Sequence, residues 1–155
     1  MYTRSKQPQS KPEKDFHVIR RFAASLLTIF FLSGSVFADE DAAISQAQAA
    51  AEAWLKLTDE PAYGNSWDEA ASVFKKAISS GNWVKALEQV RSPLGVASNR
   101  TLKSATFTRT LPGAPEGEYV VLQYQTQFES RAAVETITPM KEEDGTWRVS
   151  GYYIR

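Results

Sequence analysis

Cysteine is absent from this chain, and histidine occurs once, at His17. Without cysteine there is no disulfide framework, no thiolate chemistry and no lipid attachment through a thiol. His17 falls in a segment that reads as removable, so residues 39–155 hold neither imidazole nor thiol. A serine or cysteine nucleophile paired with histidine therefore cannot be built there. Zinc and copper sites made of cysteine and histidine are excluded on the same grounds. Neither common type of glycine-rich phosphate loop occurs. No metal and no cofactor are expected.

A basic patch is missing too. Six of the 18 basic and two of the 18 acidic residues lie in 1–38, which leaves 12 basic against 16 acidic residues in 39–155, a net of −4. A mildly acidic domain with no basic cluster is a poor binder of nucleic acid or anionic membrane. Long apolar runs are also absent. The run Phe22–Leu32 spans 11 residues, well short of the ~20 needed to cross a bilayer.

That short run has a recognisable setting. A polar, basic start ends in Arg20-Arg21, the apolar run follows, Ser33-Gly34-Ser35 breaks it, and Val36-Phe37-Ala38 supplies small residues at the end. The pattern is that of a secretory signal, cleaved after Ala38, with residues 39–155 as one domain in the periplasm or outside the cell. The alternatives are a leader retained as an anchor, and a start downstream of Met1. Cleavage leaves no stable membrane span.

The first half of the remaining chain has helical periodicity. Ile44, Ala47, Ala51, Trp54, Leu55 and Thr58 recur at three- and four-residue spacing over 41–58, ended by Pro61. Ser66 and Glu69 form a capping-box pattern that opens a second helix over 67–80. Gly81 stops it, and Asn82 caps a third over 83–91. The second half alternates instead: strands are expected at 101–111, 118–128, 132–140 and 146–154, the last two joined by a hairpin at Asp144-Gly145. The expected class is α+β, with three helices on one face of a four-stranded antiparallel meander.

Trp54-Leu55, Ser66-Trp67, Pro93-Leu94-Gly95, Leu111-Pro112-Gly113, Gly117-Glu118-Tyr119-Val120 and Trp147–Ile154 together resemble the bacterial family named domain of unknown function 4019. The resemblance covers about residues 44–155, implies a small exported protein and brings no activity with it. The order of elements is also similar to cystatin-like and NTF2-like folds, in which a curved sheet wraps a helix and can leave a pocket.

What chemistry remains belongs to carboxylates, arginines and rings. Glu142-Glu143-Asp144-Gly145 lacks the alternating acidic positions of a calcium loop and reads as a solvated hairpin tip. Glu129 and Glu135 read as exposed strand-end charges rather than a catalytic pair. Trp54, Trp67 and Trp83 fall on the apolar side of their helices, where core packing is the default. Arg91, Arg100, Arg109 and Arg148 offer guanidinium groups for an anionic ligand or a carboxylate. A tyrosine–arginine group of Arg109, Tyr124, Arg148 and Tyr152 at one end of the sheet is the candidate ligand site. These residues imply a small exported binding or accessory protein, whose pocket or glutamine-rich sheet face (Gln123, Gln125, Gln127) engages another envelope protein or a small ligand. The competing reading is a small hydrolase or isomerase working through carboxylates and tyrosines in a sheet-lined pocket.

Overall fold

A computed structural model describes residues 34–60 and 62–155, and Ser35–Arg155 forms one unit. The expected leader lies, up to Ser33, outside the described residues. Helix α1 runs over Gly34–Asp59, seven residues earlier than the periodicity suggests. The expected cleavage point after Ala38 therefore falls within the helix. Its buried side carries Ala47, Ala51, Trp54, Leu55 and Thr58, the residues of the apolar spacing. It stops two residues before Pro61, whose ring disfavours helical geometry in the residue preceding it.

The expected second helix is two. α2 covers Gly64–Asp68 and α3 covers Ser72–Ala77, so the described residues hold four helices before the sheet rather than three. Ser66 does not cap anything. It is fully buried inside α2, its hydroxyl donates to the Tyr63 carbonyl at 2.7 Å, and it accepts the Trp83 indole N–H at 2.9 Å. The Trp54 indole donates to the Ser66 carbonyl at 2.7 Å. Helix continuity then breaks where Ala71 donates its N–H to the Val149 carbonyl at 2.9 Å instead of along the chain. α3 is capped from far away: the Glu142 carboxylate accepts the Ser72 N–H at 2.6 Å and its hydroxyl at 3.1 Å. α4 spans Ser80–Arg91 and is capped by Ser79, which accepts the Asn82 N–H at 3.4 Å. Asn82 is thus the capped residue and not the cap.

After Gly95 the strands follow in order: β1 Ala97–Thr108, β2 Tyr119–Phe128, β3 Ala132–Lys141 and β4 Trp147–Ile154. They form one antiparallel sheet in that spatial order, close to the expected spans. Gly95 makes the switch from α4 possible. Its φ is +77°, and a Cβ there would meet Glu129 Oε2 at 2.3 Å and Cβ at 2.9 Å. Only glycine tolerates both the dihedral and the approach of the β2–β3 hairpin.

The alternation of β2 fixes two faces. Val120, Leu122, Tyr124, Thr126 and Phe128 are buried beneath α1 and α4, and Ala133, Glu135 and Ile137 of β3 continue that inner face. In β4 a bulge changes the count. Pro139 pairs with Val149 and Thr138 with Gly151, leaving Ser150 extra. Trp147 and Val149 before the bulge, and Tyr152 after it, therefore all look inward. Pro139 lacks an N–H and sits where the ladder is interrupted, which a proline in an inner strand requires.

The helices are not confined to one face. Phe74 of α3 joins the main core, edge-on to Trp83 at 4.9 Å between centroids. Its neighbour Val73 belongs to a second cluster with Ala71, Tyr119, Met140 and Leu111. Tyr119 and Met140 are paired and lie on the outer face, opposite in parity to Val120. α3 thus straddles the β4 edge and reaches both faces, held there by the bond from Ala71 to Val149.

Candidate functional site

Two places concentrate unusual chemistry, one on the helix side of the sheet and one on the other face. The first is a charged network, buried at Glu135 and Arg91 and reaching solvent at Asp59. Asp59 ends α1, Arg91 ends α4, Arg100 lies on β1, Glu135 on β3 and Tyr152 on β4. Arg100 grips Asp59 with two parallel bonds of 2.6 Å, a fork-to-carboxylate geometry. Its Nε also donates to Glu135 Oε2 at 2.6 Å. Arg91 donates to Asp59 at 2.5 Å, to Glu135 at 3.2 Å and to the Tyr152 oxygen at 3.0 Å. Tyr152 in turn donates to Glu135 Oε1 at 2.5 Å, and Thr126 donates its hydroxyl to Oε2.

Glu135 has no exposed surface and Arg91 only 4%. Two carboxylates face two guanidinium groups, so the formal charge cancels. Burial opposes both arginine charges. Tyr152, Asp59 and Glu135 outweigh it at Arg91, and Asp59 and Glu135 do so at Arg100, so both pKa values end up raised. Every lone pair of Glu135 that points inward meets a donor, which leaves it nothing with which to take a substrate's proton. The network ties both helix ends to the sheet.

Burial pushes the Tyr152 phenol up, and the Glu135 charge adds to that. The Tyr124 phenol goes up to about 12, through burial and then the nearby Glu52 charge. An unfolded tyrosine ionises near pH ~10. Above that pH the unfolded chain loses protons that the folded protein keeps, so stability falls as pH rises. Thermal melts are expected to move down above about pH 10, with a limiting slope of about 1.4 kcal/mol per pH unit for each phenol. The slope should be shallower for Tyr152→Phe. A wild-type midpoint that stays flat to about pH 12 would contradict the assignment.

The four residues expected to form a ligand site are not gathered around one point. Tyr152 lies in the charged network with Arg91 and Glu135. Tyr124 is also inward and buried, and its hydroxyl has no hydrogen-bond partner among the described residues. Arg109 is 56% exposed, packs on the Phe107 ring and lies 3.7 Å from Glu118 and 3.8 Å from Glu40. Arg148 faces outward beside Met140 and pairs with Asp144 at 3.0 Å. Asp144 closes the β3–β4 hairpin tip, where the Thr146 hydroxyl and N–H, then Arg148, hold its carboxyl down at about 2.

Of the remaining arginines, Arg91 and Arg100 do converge, and their target is a pair of carboxylates within the chain. The expectation for Glu129 and Glu135 is half corrected: Glu129 is exposed and Glu135 is fully buried. Trp54, Trp83 and Trp147 are core residues, while Trp67 is half-buried with Lys75 over its ring.

The open place is the outer face of the sheet. Its rows follow from the pairing register. Ser104, Gln123, Thr136 and Tyr153 form one row across all four strands. Thr101, Gln125, Val134 and Arg155 form the next, with Arg155 its one charged member, and Asn99, Gln127 and Ala132 the one beyond. In the other direction come Thr106 with Val121 and Thr138 with Gly151. None of these side chains is ionisable below the tyrosine range.

At the Tyr119 end this face deepens into an open cavity of about 600 Å³. Val73, Lys76 and Ala77 of α3 form one wall, and the Leu111–Pro115 loop forms the other. Tyr119, Thr138, Ser150 and Gly151 make the floor. The Tyr119 hydroxyl donates to the Pro115 carbonyl at 2.7 Å and pins the loop. Ser150 donates to the Thr138 carbonyl at 2.7 Å. Lys76 is the one charged side chain in the lining, and it pairs with no carboxylate among the described residues. A Cβ at Gly151 would meet only Thr138, at 3.7 Å, so glycine here leaves the floor open.

Among the described residues, no three histidine, cysteine, aspartate or glutamate side chains are grouped to hold a metal. No helix among them is long and apolar enough to cross a membrane. Residues 50–152 match a family described as "Protein of unknown function (DUF4019)". No curated protein matches the chain.

Proposed function

The chain belongs to the DUF4019 family of proteins of unknown function, and from that premise we propose that it is a small exported binding module, accessory rather than catalytic. The observation that carries this reading is the cavity of about 600 Å³ between α3, the Leu111–Pro115 loop and the outer sheet face. Its volume is in the range of small-molecule sites, and such sites combine a mostly apolar lining with a few polar groups. Here the apolar surface comes from Val73, Leu111, Pro112 and Tyr119, and the polar groups from Lys76, Thr138 and Ser150. An ammonium at the rim with no carboxylate partner among the described residues, set between apolar walls, suits an amphipathic molecule with one anionic end.

Export is supported by the leader pattern of residues 1–38. The lack of histidine and cysteine in 39–155 supports binding over catalysis. A curved sheet that carries its helices and leaves a pocket is also what the likeness to cystatin-like and NTF2-like folds would provide, although the cavity lies on the face opposite α1.

The test starts from protein recovered from the envelope fraction of cells expressing the full chain. It is expected to begin at Asp39 and to bind decanoate saturably in calorimetry. Gly151→Leu fills the floor from an outer-face position and should weaken that binding at least about tenfold, or about 1.4 kcal/mol. Lys76→Glu should weaken it to a similar degree without weakening decanol. No saturable binding, or equal binding by the Gly151→Leu protein, would overturn the reading.

A further inference from the structure

We propose that the charge-poor outer face of the sheet is the contact surface for a second copy of this chain, giving a two-fold dimer packed sheet to sheet. The inference does not depend on the cavity's ligand. Its first support is composition. Residues 39–155 carry 28 charged side chains among 117, so between three and four of the fifteen outer-row positions would be charged at random. The paired rows from Asn99–Gln127–Ala132 to Thr138–Gly151 contain one, Arg155, which pairs with Val134 at the margin of the face. A solvated sheet face has every reason to use lysine and glutamate, and depletion of charge marks the core of interfaces.

The second support is electrostatic fit. Residues 39–155 are net acidic, so two copies repel except where they present no charge. A face whose one charge, Arg155, sits at its margin meets little like-charge opposition when set against itself, and a two-fold axis puts the same patch on both sides. The third support is area. Four strands about 4.8 Å apart and four rows repeating every ~6.7 Å give a platform of roughly 500 Å² in projection. With side-chain relief this reaches the lower end of specific interfaces, about 600 Å² per partner.

Residue type adds to this. Threonine and valine lose little rotamer freedom on contact. Tyr153, 61% exposed in the row of Ser104, Gln123 and Thr136, supplies an aromatic anchor of the kind that dominates binding energy. The sheet's edges are less suited to pairing. β1 carries a bulge at Lys103, and β4 already gives the Val149 carbonyl to Ala71.

Sedimentation equilibrium on the purified protein reads the outcome. Wild type is expected at twice the chain mass. Gln123→Lys, at a half-exposed outer position, should weaken association about 100-fold with its circular dichroism unchanged. An equimolar mixture of Gln123→Lys and Gln123→Glu should recover the double mass, because the two charges then face each other. Lys85→Glu, on the exposed side of α4, should leave the dimer intact. A wild-type protein monomeric at about 100 μM would overturn the proposal, and so would a Gln123→Lys protein that stays dimeric. A monomer that gains mass only with a different envelope protein would also overturn it.

Discussion

Glu135→Ala is expected to lower the free energy of unfolding by about 3–5 kcal/mol, the range for removing one partner of a buried ion pair. Arg91 and Arg100 would keep their charges beside Asp59 alone, and the Tyr152 and Thr126 hydroxyls would lose their acceptor. With a typical domain stability of about 5–15 kcal/mol, that is a third or more of the total. Urea denaturation measures it as a drop in midpoint. Glu135→Gln keeps the shape and should lose less. The double variant Arg91→Met/Glu135→Leu should recover much of the loss, since an apolar pair of similar volume avoids the desolvation of two charges. A Glu135→Ala protein within about 1 kcal/mol of wild type would mean that water reaches the site and that the network fastens nothing.

Trp54→Ala carries the other large effect, a loss of about 3–5 kcal/mol in the same denaturation experiment. The ring is 3% exposed and sits 6.0 Å from Trp83 and 5.3 Å from Tyr152. Its indole also holds the Ser66 carbonyl, so the cavity it leaves would loosen α2 as well as α1. Trp54→Phe separates the two contributions. It keeps most of the apolar area and gives up the bond, for a loss nearer 1 kcal/mol beyond the smaller ring's area. Equal losses for the alanine and phenylalanine variants would show that the ring's packing contributes nothing.

Much of the architecture was readable because it rests on local periodicity. Strand spans shift by a few residues at most, with β1 starting four residues early. The apolar spacing of α1 names the residues that are buried. The burial of Glu135 also had a local signal that went unused: it shares the parity of Ala133 and Ile137 on an alternating strand. Arg91 likewise follows Trp83 and Leu87 at four-residue steps along α4. Glu135 reads as a surface charge in sequence because charged residues are seldom buried unless paired, and its pairing with Arg91 is long-range. Arg91 and Glu135 lie 44 residues apart in sequence.

Other features depend on contacts that no window of sequence contains. The break between α2 and α3 follows from Ala71 bonding to the β4 edge, and the failed cap at Ser66 follows from two indoles converging on it. The Ser150 bulge turns Tyr152 inward while Arg148 stays outward, which disperses a site drawn from simple alternation. The glutamine-bearing wet face was legible. That it deepens into a cavity walled by α3 was not, because α3 had been assigned to the other face.

Labour is divided between the two faces of the sheet: the inner face holds the fold together and the outer face binds. Amide shift mapping of isotope-labelled protein during a decanoate titration tests it most directly. The predicted result is a set of shifts confined to α3, the Leu111–Pro115 loop and Thr138 through Gly151, with Asp59, Arg91 and Glu135 unmoved. Largest shifts at Asp59, Tyr63, Arg91 and Val96, around the small cleft beside the charged network, would contradict it.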